Sequence, residues 1–105
     1  MTHKQVEEYI LDMPDAKLDY PFGENVAVYK VDDKMFALIT EGKDPVQLSL
    51  KCDPLLAETL REKYESVMPG YHLNKKHWNT IILSGQLSDD EIKDLIRHSY
   101  NLVKG

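Results

Sequence analysis

Val26-Ala27-Val28-Tyr29-Lys30-Val31-Asp32-Asp33-Lys34-Met35-Phe36-Ala37-Leu38-Ile39-Thr40 reads as two strand-like runs around a two-residue turn. Branched and aromatic side chains dominate both runs, and such residues fit a pleated, half-buried surface. A third run, Val46–Lys51, alternates with period two, placing Val46, Leu48 and Leu50 on one side and Gln47, Ser49 and Lys51 on the other. Asp32-Asp33 allows a tight first hairpin, and Glu41-Gly42-Lys43-Asp44-Pro45 gives the second a longer turn. Three runs joined this closely predict an antiparallel meander.

Working outward, Thr2 with Gln5 forms a capping-box pattern, and Val6, Ile10 and Met13 follow at helical spacing until Pro14, which predicts a helix over 3–13. Residues 14–25 read as a loop holding the aromatic cluster Tyr20-Pro21-Phe22-Gly23. On the other side of the meander, Asp53-Pro54 pairs an N-cap acceptor with the residue that loses nothing at the first helical position, predicting a helix over 54–65 with Leu56, Leu60 and Tyr64 inward. Val67–Leu73 and Trp78–Ser84 read as two further strands, the first made irregular by Pro69-Gly70. Ser88-Asp89-Asp90-Glu91 is a second capping box, with Leu87 and Ile92 as a hydrophobic staple, and starts a helix to about Val103. Its apolar side is expected to comprise Ile92, Leu95, Ile96, Leu102 and Val103.

The order α-β-β-β-α-β-β-α predicts an α+β fold of two layers, a five-stranded antiparallel sheet with helices packed on one face. The second face is then expected to carry Tyr29, Lys30, Gln47, Ser49 and Lys51, a mixture suited to water or to a partner. The chain's 105 residues fit one domain, 1–105. A hydrophobic share of 42% supports a core, and disorder is not expected. No apolar run is long enough to span a membrane and the first twenty residues lack a signal-peptide pattern, so a cytoplasmic location is expected.

A net charge of −5 argues against a surface that coats nucleic acid everywhere. One segment departs from that balance. Ser66 to Ser88 contains no Asp or Glu, whereas 18 acids in 105 residues would place about four there. Within it, Pro69–Trp78 gathers Tyr71, His72, Asn74, Lys75, Lys76, His77 and the lone tryptophan, Trp78. Lysines and a histidine can meet phosphates while Tyr71 or Trp78 stacks on a base. The competing reading is that Trp78 opens a strand and packs into the core while Lys75 and Lys76 are solvated turn residues.

Other chemistry is poorly supported. His72 and His77 are five apart, which matches neither a helical metal pair nor a zinc pattern. The segment lacks a Ser, Cys or acid to complete a nucleophile–base set. Cys52 precludes an intramolecular disulfide by being alone, and the neighbouring Asp53 opposes a thiolate, so a small buried side chain is expected there. The glycines are isolated and form no phosphate loop. No cofactor or metal is expected.

Taken together, Tyr20-Pro21-Phe22-Gly23, the meander, Cys52-Asp53-Pro54 and the string Tyr71-His72-Leu73-Asn74-Lys75-Lys76-His77-Trp78-Asn79 resemble the MmcQ/YjbR family of small bacterial proteins over nearly the whole chain. The resemblance implies a fold similar to type III secretion chaperones and to CyaY. It also implies a predicted DNA-binding protein with a double-wing motif. The wings would be the turns at Asp32-Asp33 and Asn74–His77, and the first is poorly suited to phosphates. The resulting expectation is a non-enzymatic domain that binds DNA weakly through residues 69–78. The alternatives are a protein-interaction domain using an open sheet face or edge, and a small-ligand binder with a pocket near Tyr20, Phe22, His72 and Trp78.

Overall fold

The computed structural model describes all 105 residues. Three helices, α1 (His3–Leu11), α2 (Pro54–Lys63) and α3 (Asp89–Val103), lie against a sheet of six strands: β1 (Lys17–Asp19), β2 (Val26–Val31), β3 (Lys34–Thr40), β4 (Gln47–Lys51), β5 (Val67–Pro69) and β6 (Trp78–Ile82). The strands run in the order β1-β2-β3-β4-β6-β5, each antiparallel to its neighbours. The α+β class and the one-sided helical layer are as expected. The sheet has one strand more than expected, because β1 forms within the segment read as a loop. The strands expected over Val67–Leu73 and Trp78–Ser84 are shorter, the first ending at Pro69, where Gly70 turns the chain away from the edge.

Local signals account for the helix starts. Thr2 and Ser88 both close capping boxes, with Gln5 and Glu91 as the returning partners. Asp53 accepts from the Leu56 N–H ahead of Pro54. On α3 the inward residues are Ile92, Ile96, Ser99, Tyr100 and Val103, while Leu102, expected inward, is exposed. The reason is angular: 92, 96, 99 and 103 follow one stripe, and 102 falls roughly 100° away from 103.

Ser99 is buried because β3 contains a bulge. Tyr29 opposes Ala37 but Lys30 opposes Met35, so Phe36 is an extra residue, and both Phe36 and Ala37 join the helix-side core. The bulge interrupts the β3–β4 ladder beyond Ala37 and Leu50. Ser99 bridges the gap: its Oγ donates to the Phe36 carbonyl and accepts from the Lys51 N–H at 2.9 Å. Both backbone groups are thereby satisfied inside the fold.

The helix-side core is a cluster of 18 buried residues in which Ala27, Tyr29 and Val31 of β2 meet Val6 and Ile10 of α1. Tyr29 was expected on the other face. It lies inward because its neighbours in the alternation, Val28 and Lys30, take the outer side, and its hydroxyl donates to Glu7 at 2.5 Å. Burial, reinforced by that carboxylate, pushes the phenol's pKa up.

The lysine-bearing sheet face and its covering loop

Register fixes what the face away from the helices displays. Leu48, Leu50, Asn79 and Ile81 point toward the helices, so Gln47, Ser49 and Lys51 of β4 and Trp78, Thr80 and Ile82 of β6 point the other way. The same parity adds Val28 and Lys30 of β2, Met35 and Leu38 of β3, and Lys17 and Asp19 of β1. A second, small core forms here, in which Val28, Leu38 and Trp78 pack together with Leu73 against them. Beside it, Ser49 and Thr80 share a hydroxyl hydrogen bond of 2.8 Å.

Trp78 is therefore not a contact residue. Its side chain is 7% exposed, sealed between the sheet and residues 70–77. These residues fold down over the face. The Tyr71 N–H donates to Thr80 Oγ1 at 3.1 Å, and the Gly70 N–H donates to the Trp78 carbonyl at 2.8 Å. Several of the residues expected to touch a ligand instead build this loop. Asn74 Oδ1 accepts from the Lys76 N–H at 2.9 Å, the Asn74 carbonyl receives the His77 N–H, and the His77 carbonyl receives the Cys52 N–H. His77 itself is half-buried. Lys75 Nζ reaches back to the Gly70 carbonyl at 3.4 Å.

Tyr71 and His72 are presented outward. The Tyr71 side chain is 72% exposed, and its ring lies 4.0 Å from that of His72, centroid to centroid, at a tilt of 54°. His72 occupies the left-handed region with φ 58°, a conformation that costs a non-glycine residue about 1 kcal/mol or more and here turns its ring onto Tyr71. Met68 of β5 opposes Thr80 and is also exposed, adding apolar surface beside Tyr71.

Charge on this face is mixed at its β1–β2 end, where Lys17 and Lys30 share a cleft with Asp15, Asp19, Asp32 and Asp33. Lys17, Lys30 and Lys51 are the cations that the strands place on it, and Asp19 is the only acid they place there. Lys30 pairs with Asp19 at 3.4 Å, while Lys17, Lys51, Lys75 and Lys76 have no carboxylate partner. The opposite side is acidic, with Asp89, Asp90, Glu91 and Asp94 on α3 alone. Lys30 and Lys51 were readable from alternation. Lys17 was missed with β1.

One other expectation fails on geometry. Tyr20 and Phe22 sit at the end of the sheet marked by Asn25 and Glu41, the Tyr20 hydroxyl donating to Glu41 at 3.4 Å, whereas Trp78 opens β6 at the opposite end. They share no pocket with His72. The small cavity between the sheet and α2, lined by Leu50, Cys52, Leu60, Asn79, Ile81 and Leu95, has about 10 Å³, at most room for one water. Asn79 donates to the Ala57 carbonyl at 3.2 Å, and its Oδ1 has no protein partner. Cys52 is buried there as expected. Burial, with Asp53 adding to it and Arg61 opposing, raises its thiol pKa to about 11, which keeps it protonated and unreactive.

The turn Asp32-Asp33 differs from the loop at 70–77 in being tight and acidic. Both aspartates have positive φ, 52° and 61°, as a two-residue hairpin of this hand requires. Asp32 accepts from the Gly105 N–H at 2.8 Å, so the turn is tied to the C-terminal end of the chain.

Comparison with known proteins places these features in a family. The YjbR family model matches residues 11–102. The uncharacterised protein YjbR of Escherichia coli K12 is 37% identical over 100 residues, covering 95% of this chain and 85% of the relative. The uncharacterised protein YbdF of Escherichia coli O157:H7 is 36% identical over 101 residues, covering 96% and 83%. A crystal structure of a Deinococcus radiodurans protein superposes with a TM-score of 0.93 at 38% identity, covering 97% of this chain and 78% of that one. A Pseudomonas syringae crystal structure gives 0.84 at 33% identity, covering 99% and 100%.

Proposed function

The chain belongs to the YjbR family, and from that premise we propose that it is a non-enzymatic, cytoplasmic nucleic-acid-binding domain. The contact surface is the lysine-bearing sheet face together with the exposed rim of residues 71–76. One observation carries this reading: in a chain of net charge −5, Lys51, which opposes Trp78, and Lys76 have no carboxylate partner and lie against or within the acid-free segment that bears the exposed Tyr71. A surface of that kind lowers its free energy against a polyanion by releasing condensed counterions from the phosphates it neutralises. Tyr71 adds a ring that can lie against a base.

The reading modifies the double-wing expectation. The loop at 70–77 takes part through Tyr71, His72 and Lys76, and the acidic turn at Asp32-Asp33 takes no part. Binding is expected to be weak, because few phosphates are within reach of so few cations.

The test is a titration with nucleic acid at several salt concentrations, comparing the native chain with the double variant Lys51→Ala, Lys76→Ala. Every phosphate that the variant no longer neutralises should lower the slope of log affinity against log salt by about 0.9 on a duplex. An identical slope and affinity in the double variant would rule the reading out.

A protein-interaction domain is the second reading, favoured by Phe22, which is 63% exposed next to Tyr20 at the far end of the sheet. A dimer or complex that disappears on Phe22→Ala, with no nucleic-acid binding, would select it instead.

A further inference from the structure

We infer that the occupant of this face is single-stranded nucleic acid, lying across Lys51 toward the loop and Lys76, with one base stacked on Tyr71. The inference rests on the nucleic-acid reading above and specifies its ligand.

Three features point to a single strand. The first is shape. Base sequence in a duplex is read by an element that enters a groove, and the loop that covers this face is pinned to it. The covering loop is held down by the Tyr71 N–H on Thr80, by the Gly70 N–H on the Trp78 carbonyl and by Leu73 on Trp78. The other turn at this end of the sheet, Asp32-Asp33, is acidic and fastened to Gly105. What remains is a low platform.

The second feature is the ring. Tyr71 leaves most of its surface to solvent, with the tilted ring of His72 4.0 Å away. A ring so exposed can accept the face of a base, and only an unstacked base offers one. In a duplex those faces are already covered. The third feature is the distribution of charge. Lys30 pairs with Met35 across β2 and β3, and Lys51 pairs with Trp78 across β4 and β6, so both cations lie on the row of the sheet nearest the loop. Lys30 is tied to Asp19 and shares a cleft with Asp15, Asp32 and Asp33, so Lys51 is the free cation of this row, and a free cation on the loop's side with an exposed ring beyond it suits a flexible backbone whose bases turn toward the protein. Affinity then divides into a phosphate part carried by the lysines and a stacking part carried by Tyr71.

The experiment measures fluorescence anisotropy of a labelled short oligothymidylate and of a duplex of the same length with the native chain, Tyr71→Ala and Tyr71→Phe. Because Tyr71 is exposed, these variants should fold, and the Trp78 emission and the amide NMR spectrum check that they do. The single strand is expected to bind more tightly than the duplex. Tyr71→Ala should weaken the single strand by about tenfold while leaving the duplex unchanged, and Tyr71→Phe should keep most of the affinity. Equal or tighter duplex binding, with no effect of Tyr71→Ala, overturns the single-strand inference and leaves the broader reading standing. Binding of neither probe overturns both. Competition by polyglutamate as effective as by unlabelled oligothymidylate also overturns the inference, since the face would then take any acidic chain.

Discussion

Gly70 owes its identity to proximity. A Cβ at this position would lie 2.7 Å from the Trp78 Cβ, 3.1 Å from the Trp78 carbonyl oxygen and 3.2 Å from the Leu73 Cβ. The first two atoms belong to a paired strand and cannot easily retreat. Gly70→Ala should therefore destabilise the fold by about 1–3 kcal/mol, the usual cost of forcing extra volume into a packed site, and shift the Trp78 emission to longer wavelength as the covering loop lifts. Unchanged emission and an unchanged denaturation midpoint would show that the neighbouring atoms yield freely. The same neighbourhood shows what a sequence conceals at this scale. Trp78 could be read as contact or core, and its place depended on Val28 and Leu38, which lie far earlier in the chain and form the apolar patch it covers. Asn74 and Lys75 looked like ligand-binding residues but are taken up by backbone groups of their own loop, a fate that composition does not reveal. Tyr71 and His72 keep the exposure the segment suggested.

Elements announced by local signals were legible, and those made by distant pairing were not. The capping boxes at Thr2 and Ser88 and the Asp53-Pro54 start are each written in a few consecutive residues, and each begins a helix where the pattern places one. β1 has no such signature. Its residues, Lys17, Leu18 and Asp19, are all exposed and exist as a strand only through Lys30, Tyr29 and Val28. The start of α3 also sets a pH dependence. Hydrogen bonds from the Ser88 backbone, the Tyr64 hydroxyl and the Ser88 side chain hold the Glu91 carboxyl below its ordinary pKa. A carboxylate whose pKa is depressed by folding contributes stability that is complete above its unfolded pKa and disappears as pH falls through the folded value. Glu91→Gln keeps an acceptor for the Ser88 N–H but removes the charge. The variant should be modestly less stable than the native chain at neutral pH, and the two denaturation midpoints should converge on acidification. A gap that stays constant down to acid pH would show that the charge contributes nothing.

Across the whole molecule, one sheet serves two unequal cores. The hydrophobic cluster on the helix side has 18 buried residues, and that on the face under the loop has three, Val28, Leu38 and Trp78. So small a cluster cannot organise a sheet, so it depends on strands whose positions are fixed from the other side by α1, α2 and α3. Each of its members sits next to residues that face the helices: Val28 between Ala27 and Tyr29, Leu38 between Ala37 and Ile39, and Trp78 before Asn79, which is bonded to α2. Removing the helices would release β2, β3 and β6 together. Thermal and denaturant unfolding should then give coincident transitions whether followed by Trp78 emission, which reports the small core, or by far-ultraviolet circular dichroism, which weights the helices. An emission change completed well before the helical signal moves would mean that the ligand-facing side opens as a separate unit. The surface proposed to bind nucleic acid would in that case be a loosely held cover, whereas coincidence identifies it as a rigid platform whose shape is set by the core behind it.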